Sequence, residues 1–425
     1  MKAPLSLIGY RLLTALGTPL AGPFLSMRLK RGKEDPNRIG ERRGRPELAR
    51  PPGRLVWLHG ASVGEAVSLL PFVERITRTG ASALVTTGTV TSAALLAQRL
   101  PPSALHQYAP LDSPFFLRRF LAHWRPDAAL FAESELWPNM IVEAKRAGRP
   151  LAIINGRMSE RSFNRWQKAP LFIGALLGRF DLCLARSECD GERLMSLGAP
   201  RVLVAGDIKF DAPALPADRR ELAELSGLTS GRQIWIAAST HAGEERMAAE
   251  AHKRLIEVFP DALTLIAPRH PERGEEILRE LEAQGLACVL RSRGARPGQG
   301  TAVYICDTIG ELGLFYRLAG VVFVGKSFAG GGGQNPIEPA RLASAILHGP
   351  MVGNFRDAYA ALDEAGGALE IRRPEDLGET LVALFANTAR LRAMARAAGD
   401  AVERRAGAVE RSMQALAPLL PAPAP

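Results

Sequence analysis

The segment RLVWLHGASVGEA, residues 54–66, contains two side chains that could do chemistry, the hydroxyl of Ser62 and the carboxyl of Glu65. Ser62 lies in a G-x-S-x-G pattern after an apolar run, as in the nucleophile elbow of many hydrolases. Glu65 lies three residues further on, and a carboxylate there could act as a general base. It could also be a first-turn acid that stabilises a helix dipole, and spacing alone favours that structural role.

The hydrolase interpretation requires an acid and then a histidine later in the chain. The late histidines are His241, His252, His270 and His348. His270 lies between two arginines in PRHPER, which is more typical of anion binding than of general base catalysis. No HGGG-type oxyanion segment precedes Ser62. The sequence therefore does not favour a serine hydrolase.

Residues 320–327, GVVFVGKS, match the phosphate-loop pattern G-x-x-x-x-G-K-[ST]. The residues between its two glycines, Val321 to Val324, are typical of a buried strand. A loop whose amides surround a phosphate cannot be built from strand residues, so we interpret the match as coincidental. Lys326 could still reach an anion.

The glycine run Gly330–Gly333 is followed by Gln334-Asn335-Pro336-Ile337-Glu338. This order predicts a helix start with Asn335 as N-cap and proline at the first helical position. Free amides at a helix start favour phosphate, and Glu338 could accept hydrogen bonds from ribose hydroxyls. The alternative is a mobile loop before a well-capped helix. Dinucleotide oxidoreduction is not indicated, because no G-x-G-x-x-G follows an early strand.

The bulk properties indicate a folded protein with anionic partners. The chain has 425 residues, a net charge of +10 and a pI of about 9.8. Its length favours two domains. Its basic charge favours nucleic acid, acidic lipid or phosphorylated substrates, but no recognised nucleic-acid motif is present, so no nucleic-acid partner is expected. The four cysteines show no C-x-x-C spacing, and a disulfide or a cysteine metal site is not expected.

The N-terminal segment, residues 1–27, is predicted to associate with a membrane. Residues 12–27 carry no charge, but glycines and prolines interrupt them and they are short for a membrane-spanning helix. A basic tract follows, formed by Arg28, Lys30, Arg31, Lys33, Arg38, Arg42, Arg43 and Arg45. An apolar segment beside a basic tract is typical of helices that lie on an anionic membrane surface. The alternative is an ordinary first helix packed on its domain.

Apolar, strand-like runs alternate with helix-like stretches through the whole chain, which predicts parallel sheets covered on both faces. The predicted strands are 54–59, 82–87, 128–132, 151–155, 181–185, 201–205, 233–238, 263–267, 302–306, 320–325 and 344–348. They form two series, so we predict an α/β protein with two Rossmann-like domains, residues 28–212 and 213–425, facing a cleft. Polar residues follow nearly every strand, where such sheets bind ligands.

These strand-end motifs resemble those of the 3-deoxy-D-manno-octulosonic acid (Kdo) transferases of lipopolysaccharide synthesis. The motifs, in order, are RIGERRG at 38–44, ASVGE, ESELWPN, GDIKFD, STHAGEE, PRHPER and QNPIEPA. The resemblance covers essentially the whole chain and implies the GT-B glycosyltransferase architecture. It implies transfer of Kdo from CMP-Kdo to the lipid A precursor, lipid IVA, at the cytoplasmic face of the inner membrane.

The resemblance also implies a role for particular residues. Glu65 matches the family's general base, and Glu133 and Lys209 match positions that stabilise the transition state. The CMP of the donor is expected to contact Pro268, Arg269, Ile309, Gly310, Glu311, Asn335, Pro336, Ile337 and Glu338. Arg269 is the residue expected on the phosphate.

No metal or cofactor is expected, because the sequence has no D-x-D and no histidine-carboxylate cluster with metal spacing. Direct displacement implies inversion at the anomeric carbon. Two alternatives stay open: another GT-B enzyme that uses a diphosphate-linked sugar, and a non-catalytic membrane protein that binds phospholipid. The family often has glycine and histidine where this chain has Lys326 and Gln334, both beside the expected donor loop.

Overall fold

The structure is a computed structural model and describes residues 3–422. The chain divides into two compact units: unit 1 contains Met1–Asp211 and Ala406–Pro425, and unit 2 contains Ala212–Arg405. The first two residues of the predicted segment 1–27 and the last three of the predicted domain 213–425 lie outside the described residues.

Unit 1 is built on a seven-stranded sheet. Its strands are β1 (Leu55–His59), β2 (Ser82–Thr87), β3 (Ala104–Tyr108), β4 (Ala128–Ala132), β5 (Leu151–Gly156), β6 (Leu182–Ala185) and β7 (Val202–Val204). All are parallel, in the order β3-β2-β1-β4-β5-β6-β7. From β1 the chain adds strands toward one edge as far as β3, and from β4 it adds them toward the other edge, so the order of addition switches between the neighbours β1 and β4. In such sheets, ligands bind beyond the carboxyl ends of the strands at this switch point.

Helices cover both faces of this sheet. They are α1 (Leu5–Leu16), α2 (Ala21–Lys30), α3 (Val63–Arg78), α4 (Val90–Arg99), α5 (Pro114–Trp124), α6 (Pro138–Arg146), α7 (Glu160–Trp166), α8 (Pro170–Leu177) and α9 (Glu188–Ser196). Strand side chains alternate between the two faces. Leu55 and Trp57 of β1 therefore belong to one apolar core, and Val56 and Leu58 to the other. Because both faces are buried, the strands are apolar throughout, which is why the sequence reveals them.

Unit 2 has the same construction. Its strands are β8 (Ile234–Thr240), β9 (Leu263–Pro268), β10 (Cys288–Leu290), β11 (Val303–Ile305), β12 (Val321–Val324), β13 (Ala345–His348) and β14 (Ala368–Glu370). Its helices are α10 (Arg219–Leu228), α11 (Glu244–Ile256), α12 (Gly274–Glu282), α13 (Leu312–Leu318), α14 (Ile337–Arg341), α15 (Arg356–Glu364), α16 (Asp376–Ala386) and α17 (Thr388–Arg405). The parallel sheet has the order β10-β11-β9-β8-β12-β13-β14. The predicted fold class, two Rossmann-like α/β domains, is confirmed.

The predicted range 213–425 for the second domain needs a correction at its C-terminal end. The last helix, α18 (Ala408–Leu416), belongs to unit 1, where Ala408, Val409 and Leu416 enter an apolar core. The carboxylate of Asp211 accepts hydrogen bonds from the backbone N–H groups of Gly407 and Val409, at 2.5 Å each. These contacts join segments almost 200 residues apart, which a sequence pattern does not show.

The N-terminal helix α1 packs on unit 1 along one side and exposes the other. Leu7 is fully buried, and the Tyr10 hydroxyl donates to Asp112 Oδ2 at 2.9 Å. The exposed apolar side chains of α1 and the residues after it are Leu5, Ile8, Leu12, Leu13, Leu16, Leu20, Phe24 and Met27. Between residues 3 and 422, none of the helices combines the length and the apolar character that crossing a bilayer requires.

Part of the basic tract that follows is internal to unit 1. Arg42 is buried, and its Nε donates to Glu34 Oε2 at 2.9 Å. The Arg38 guanidinium donates to both oxygens of the buried Glu41, at 2.9 Å each. RIGERRG is therefore in large part an arginine–glutamate network of the fold, and less of its charge faces solvent than the sequence suggests.

Candidate functional site

Glu65 lies in the first turn of α3, directly beyond the carboxyl end of β1. Its Oε2 accepts the backbone N–H of Ser62 at 2.8 Å, and Ser62 Oγ accepts the backbone N–H of Glu65 at 3.3 Å. This is a capping box, so the structural role that spacing favoured is present. Gly60 permits the close approach, because a Cβ there would lie 2.9 Å from the Cβ of Glu65. Only one carboxylate oxygen serves the cap.

The histidine nearest in sequence to Ser62 does not form a hydrolase triad with it. His59, at the end of β1, is buried, with Nδ1 2.9 Å from Thr86 Oγ1 and Nε2 3.4 Å from Glu135 Oε2. Among residues 3–422, no histidine is hydrogen-bonded to the Ser62 hydroxyl, which caps α3 instead. The structure thus gives no support to the hydrolase interpretation.

Glu133 follows β4, the strand beside β1, and has a left-handed backbone conformation with φ of 49°. This conformation is rare for a residue with a long side chain, and such strain is concentrated at functional sites. Burial raises the pKa of the Glu133 carboxyl above its ordinary value. The nearby charge of Lys209 acts in the opposite direction, whereas Glu65 raises this pKa further. The structure therefore brings together the three predicted catalytic residues.

The environment of Glu133 contains two more cations. Arg157, directly after β5, and Arg186, directly after β6, both lower the pKa of Glu133. Arg186 also pairs with Asp190 at 3.0 Å. The Nε of Arg157 is buried and has no hydrogen-bond partner among the described residues. We call Glu65, Glu133, Arg157, Arg186 and Lys209 the Glu65 cluster.

In unit 2, Arg269 follows β9 and is exposed, and its backbone N–H donates to the carbonyl of Thr240 at 3.0 Å. Its charge lowers the pKa of Glu338, which burial raises. Asn335 Nδ2 donates to Glu338 Oε1 at 3.1 Å. We call Arg269, Asn335 and Glu338 the Arg269 cluster. The Arg269 cluster joins two of the three predicted donor-binding segments. Arg269 belongs to the segment with Pro268, the last residue of β9, and the other two members belong to the segment 335–338.

The start of α14 differs from the prediction by one residue. Pro336 occupies the N-cap position and the helix begins at Ile337. The side-chain oxygen of Asn335 accepts the backbone N–H of Ile337 at 3.1 Å, so Asn335 still serves the helix start from one position further out. Pro336 lacks an N–H, but at a helix start that N–H would have no partner, and the Pro336 carbonyl accepts the N–H of Ala340 at 3.2 Å.

The third predicted donor segment is Ile309, Gly310 and Glu311, in the loop before α13. Ile309 is 88% exposed, and Gly310 has φ of 88°. The Glu311 carboxylate accepts from Arg291 at 2.6 and 3.1 Å, and this contact lowers the pKa of Glu311. In the described part of unit 2, no hydrogen bond or ion pair joins Glu311 to the Arg269 cluster.

Comparison with known proteins identifies the family. The family model described as 3-Deoxy-D-manno-octulosonic-acid transferase (kdotransferase) matches residues 37–212, which include Glu65, Glu133 and Lys209. The 3-deoxy-D-manno-octulosonic acid transferase of Haemophilus influenzae is 31% identical over 418 residues, covering 97% of this chain and 98% of that protein. This chain belongs to the Kdo transferase family. The transferase of Rickettsia typhi is 34% identical over 371 residues, covering 86% and 80%.

A solved glycosyltransferase from Rickettsia africae shares the fold of this Kdo transferase. The TM-score is 0.59 at 11% identity, over 87% of this chain and 99% of that one. At this identity the likeness concerns the fold alone. With the family shown, the enzyme is a glycosyltransferase, and the resemblance that the strand-end motifs indicated is confirmed.

The phosphate-loop motif of this Kdo transferase has a structural explanation. Val321–Val324 form β12, and the loop after it wraps around a carboxylate of the protein itself. Glu244 is buried and accepts the backbone N–H groups of His241, Lys326, Ser327, Phe328 and Ala329, at 2.8 to 3.4 Å. The amides that would surround a phosphate in a true phosphate loop are therefore used by Glu244.

Sequence reasoning missed Arg157, Arg186 and Glu244 as members of these sites. A signal for each was present, since Arg186 directly follows a predicted strand, Arg157 lies two residues after one, and Glu244 lies in STHAGEE. In the described chain, no group of three or more histidine, cysteine or acidic side chains is placed to hold a metal ion.

Proposed function

We propose that this Kdo transferase moves Kdo from CMP-Kdo to lipid IVA, with inversion at the anomeric carbon and without a metal ion or cofactor. The observation that carries the proposal is the convergence of Glu65, Glu133 and Lys209 at the carboxyl edge of one sheet. Family membership makes Kdo the transferred sugar. The donor nucleotide, the acceptor and the stereochemistry are our inferences.

Glu65 is the proposed general base. An acceptor hydroxyl is a weak nucleophile and requires a base within hydrogen-bond reach as it attacks. The hydroxyl oxygen forms the new bond to the anomeric carbon, and its proton passes to the oxygen of Glu65 that does not serve the cap. The bond between that carbon and the phosphate oxygen breaks, and CMP leaves with the electron pair. Attack from the opposite face inverts the centre.

Glu133 and Lys209 are the proposed stabilisers of the transition state. An ionised Glu133 would balance the positive charge that develops at the anomeric carbon, and Lys209 would balance the donor's carboxylate or phosphate. Burial disfavours ionisation of Glu133, and the charges of Lys209, Arg157 and Arg186 favour it. The cations of the Glu65 cluster therefore support the form of Glu133 that this role requires.

Unit 2 is the proposed site for the CMP group. Arg269 is an exposed cation beside the buried Glu338, so it could pair with the phosphate while Glu338 accepts from ribose hydroxyls. Pro268, Ile309, Gly310, Glu311, Asn335, Pro336 and Ile337 remain the other proposed contacts. The carboxylate of Glu311 is bonded to Arg291, so this segment would contribute backbone groups.

The exposed apolar side of α1 supports association with the cytoplasmic face of the inner membrane. Leu5, Leu13 and Leu16 are 85%, 72% and 79% exposed on one short helix. A helix with such a face is stabilised at a lipid surface, because its exposed apolar side chains are removed from water there. The acceptor's acyl chains would stay in the bilayer while its sugar reaches the Glu65 cluster.

The test is acceptor-dependent CMP release from CMP-Kdo, with a tetra-acylated lipid A precursor in detergent and with EDTA present throughout. We expect release in the presence of the acceptor and product with the inverted configuration by NMR. Tight UDP binding with transfer from a diphosphate-linked sugar would favour the other GT-B enzyme. Lipid binding without any release would favour the non-catalytic protein. Activity that EDTA abolishes would contradict metal independence.

Replacing Arg157 with glutamine is expected to lower kcat by about a hundredfold, the typical cost of losing one charge-stabilising donor. The loss of its charge raises the pKa of Glu133, so the acidic limb of the kcat–pH profile should move to higher pH. The matched control is Arg161→Gln, on the exposed surface of α7 four residues later. Equal kinetics for the two variants would show that Arg157 has no role in the reaction.

A further inference from the structure

A groove on unit 1 combines apolar walls with a cluster of arginines. It lies between α1, α5 and α6 and has a volume of about 250 Å³. Ile8, Leu12 and Phe115 line it and are 41%, 58% and 53% exposed. We call it the α1 groove. None of its lining residues belongs to the Glu65 cluster.

Four arginines line the α1 groove, namely Arg11, Arg118, Arg146 and Arg179. The first three share one carboxylate, that of Glu143: Arg11 pairs with it closely, Arg118 Nε lies at 3.0 Å and Arg146 Nη1 at 3.5 Å. One negative charge therefore faces four positive charges. This excess of positive charge favours the binding of an anion.

The fourth arginine, Arg179, lies close to the charges of two of the others. Arg179 donates to the backbone carbonyl of Ala175, and in the described chain no carboxylate pairs with it. Burial lowers the pKa of Arg179, and so do the charges of Arg11 and Arg146. Arg118 and Arg146 are 54% and 60% exposed, so their guanidinium groups can turn toward a ligand.

The apolar walls decide which anion fits. Ile8 and Leu12 continue into the exposed face of α1, so a ligand that places a phosphate on the arginines can extend hydrocarbon along this face. The volume lies below the range of about 300–1,000 Å³ for pockets that enclose drug-sized ligands. The groove is therefore suited to a headgroup and the first part of a chain.

We propose that the α1 groove binds the phosphodiester headgroup of an anionic phospholipid, with the lipid's hydrocarbon against Ile8, Leu12 and Phe115. The inference rests on the membrane association proposed above and is independent of the transfer chemistry. It turns a general affinity for a charged surface into a site with a defined ligand. Bound lipid would fix how α1 lies on the membrane.

The test compares Arg118→Gln/Arg146→Gln with wild type in sedimentation with phosphatidylcholine vesicles, with and without phosphatidylglycerol. Since a basic residue near an anionic surface contributes about 1 kcal/mol, partitioning onto phosphatidylglycerol vesicles should fall about thirtyfold. The matched control is Arg78→Gln/Arg99→Gln, which removes the same charge from exposed positions on α3 and α4. Its partitioning should stay close to wild type.

A short-chain phosphatidylglycerol below its micelle concentration should compete with vesicles for wild type, and inorganic phosphate should not. In Phe115→Ser, a change at an exposed side chain, the short-chain lipid should compete no better than inorganic phosphate, while the fold persists. Equal losses in the two double variants, equal competition by phosphate, or no vesicle binding by wild type would each overturn the site. CMP release with acceptor in detergent should be unchanged in Arg118→Gln/Arg146→Gln. This assay therefore tests the transfer proposal independently of the lipid site.

Discussion

Replacing Glu65 with glutamine is expected to lower kcat for Kdo transfer by about 10²- to 10⁴-fold, the range that a general base contributes. Glutamine is nearly isosteric and can accept the Ser62 N–H in the same way, since either residue completes a capping box. The variant therefore separates the two roles of Glu65. Thermal unfolding should stay close to wild type, and CMP binding should persist because the donor contacts are assigned to unit 2.

The control for this prediction is Ser62→Ala. It removes the hydroxyl that accepts the Glu65 N–H and should cost about 0.5–2 kcal/mol of stability, as other lost N-caps do. The Glu65 carboxylate remains, so most of the transfer activity should remain as well. If Glu65→Gln keeps full activity, the carboxylate serves only as a cap and the base lies elsewhere. If Ser62→Ala is the inactive variant, the hydroxyl has a role that we have not assigned.

The sequence predicts the central strands because both of their faces are buried, and it fails at three of the four edge strands, with β7 the exception. β3, β10 and β14 are absent from the prediction, and all three lie at the edge of a sheet. β3 has the sequence ALHQY, in which polar residues interrupt the apolar run, and β10 and β14 are only three residues long. An edge strand has fewer neighbours to exclude water, so its composition carries a weaker signal.

The site shows the same division between local and non-local information. The positions of Glu65, Glu133 and Lys209 after strands are visible in the sequence, because the carboxyl ends of parallel strands form one edge. Their electrostatic coupling, the left-handed backbone of Glu133 and the unpartnered Nε of Arg157 depend on contacts between distant segments. No local pattern contains that information.

Charged motifs depend on non-local contacts in the same way. The basic tract is predicted to be surface charge, and yet Arg42 is buried against Glu34. The centre of GVVFVGKS is a strand, so the prediction that its match to a phosphate loop is coincidental is confirmed. The reason that its amides are unavailable, the carboxylate of Glu244 more than 80 residues earlier, appeared only in the structure.

Replacing Glu244 with glutamine is expected to destabilise unit 2 by about 3 kcal/mol. The two oxygens of Glu244 accept five backbone N–H groups. Glutamine replaces one of these oxygens with an NH₂ group, which can only donate and therefore cannot accept the N–H groups that point at it. A buried donor left without a partner costs about 1–3 kcal/mol, and at least two would lose theirs. Glu250→Gln is the matched control, since Glu250 lies on the same helix with a side chain 62% exposed.

The measurement is urea unfolding combined with hydrogen exchange at residues 326–329, because two units need not unfold in one transition. Exchange at these amides should accelerate in Glu244→Gln and not in Glu250→Gln. CMP binding should weaken as well: the N–H groups of Gly333 and Gln334 donate to the carbonyls of Lys326 and Gly325, at 2.9 and 3.1 Å. The segment that precedes Asn335 is thus fastened to the loop that Glu244 holds. Unchanged exchange with weakened CMP binding would place Glu244 in direct contact with the donor, whereas faster exchange with unchanged binding would separate this loop from the donor site.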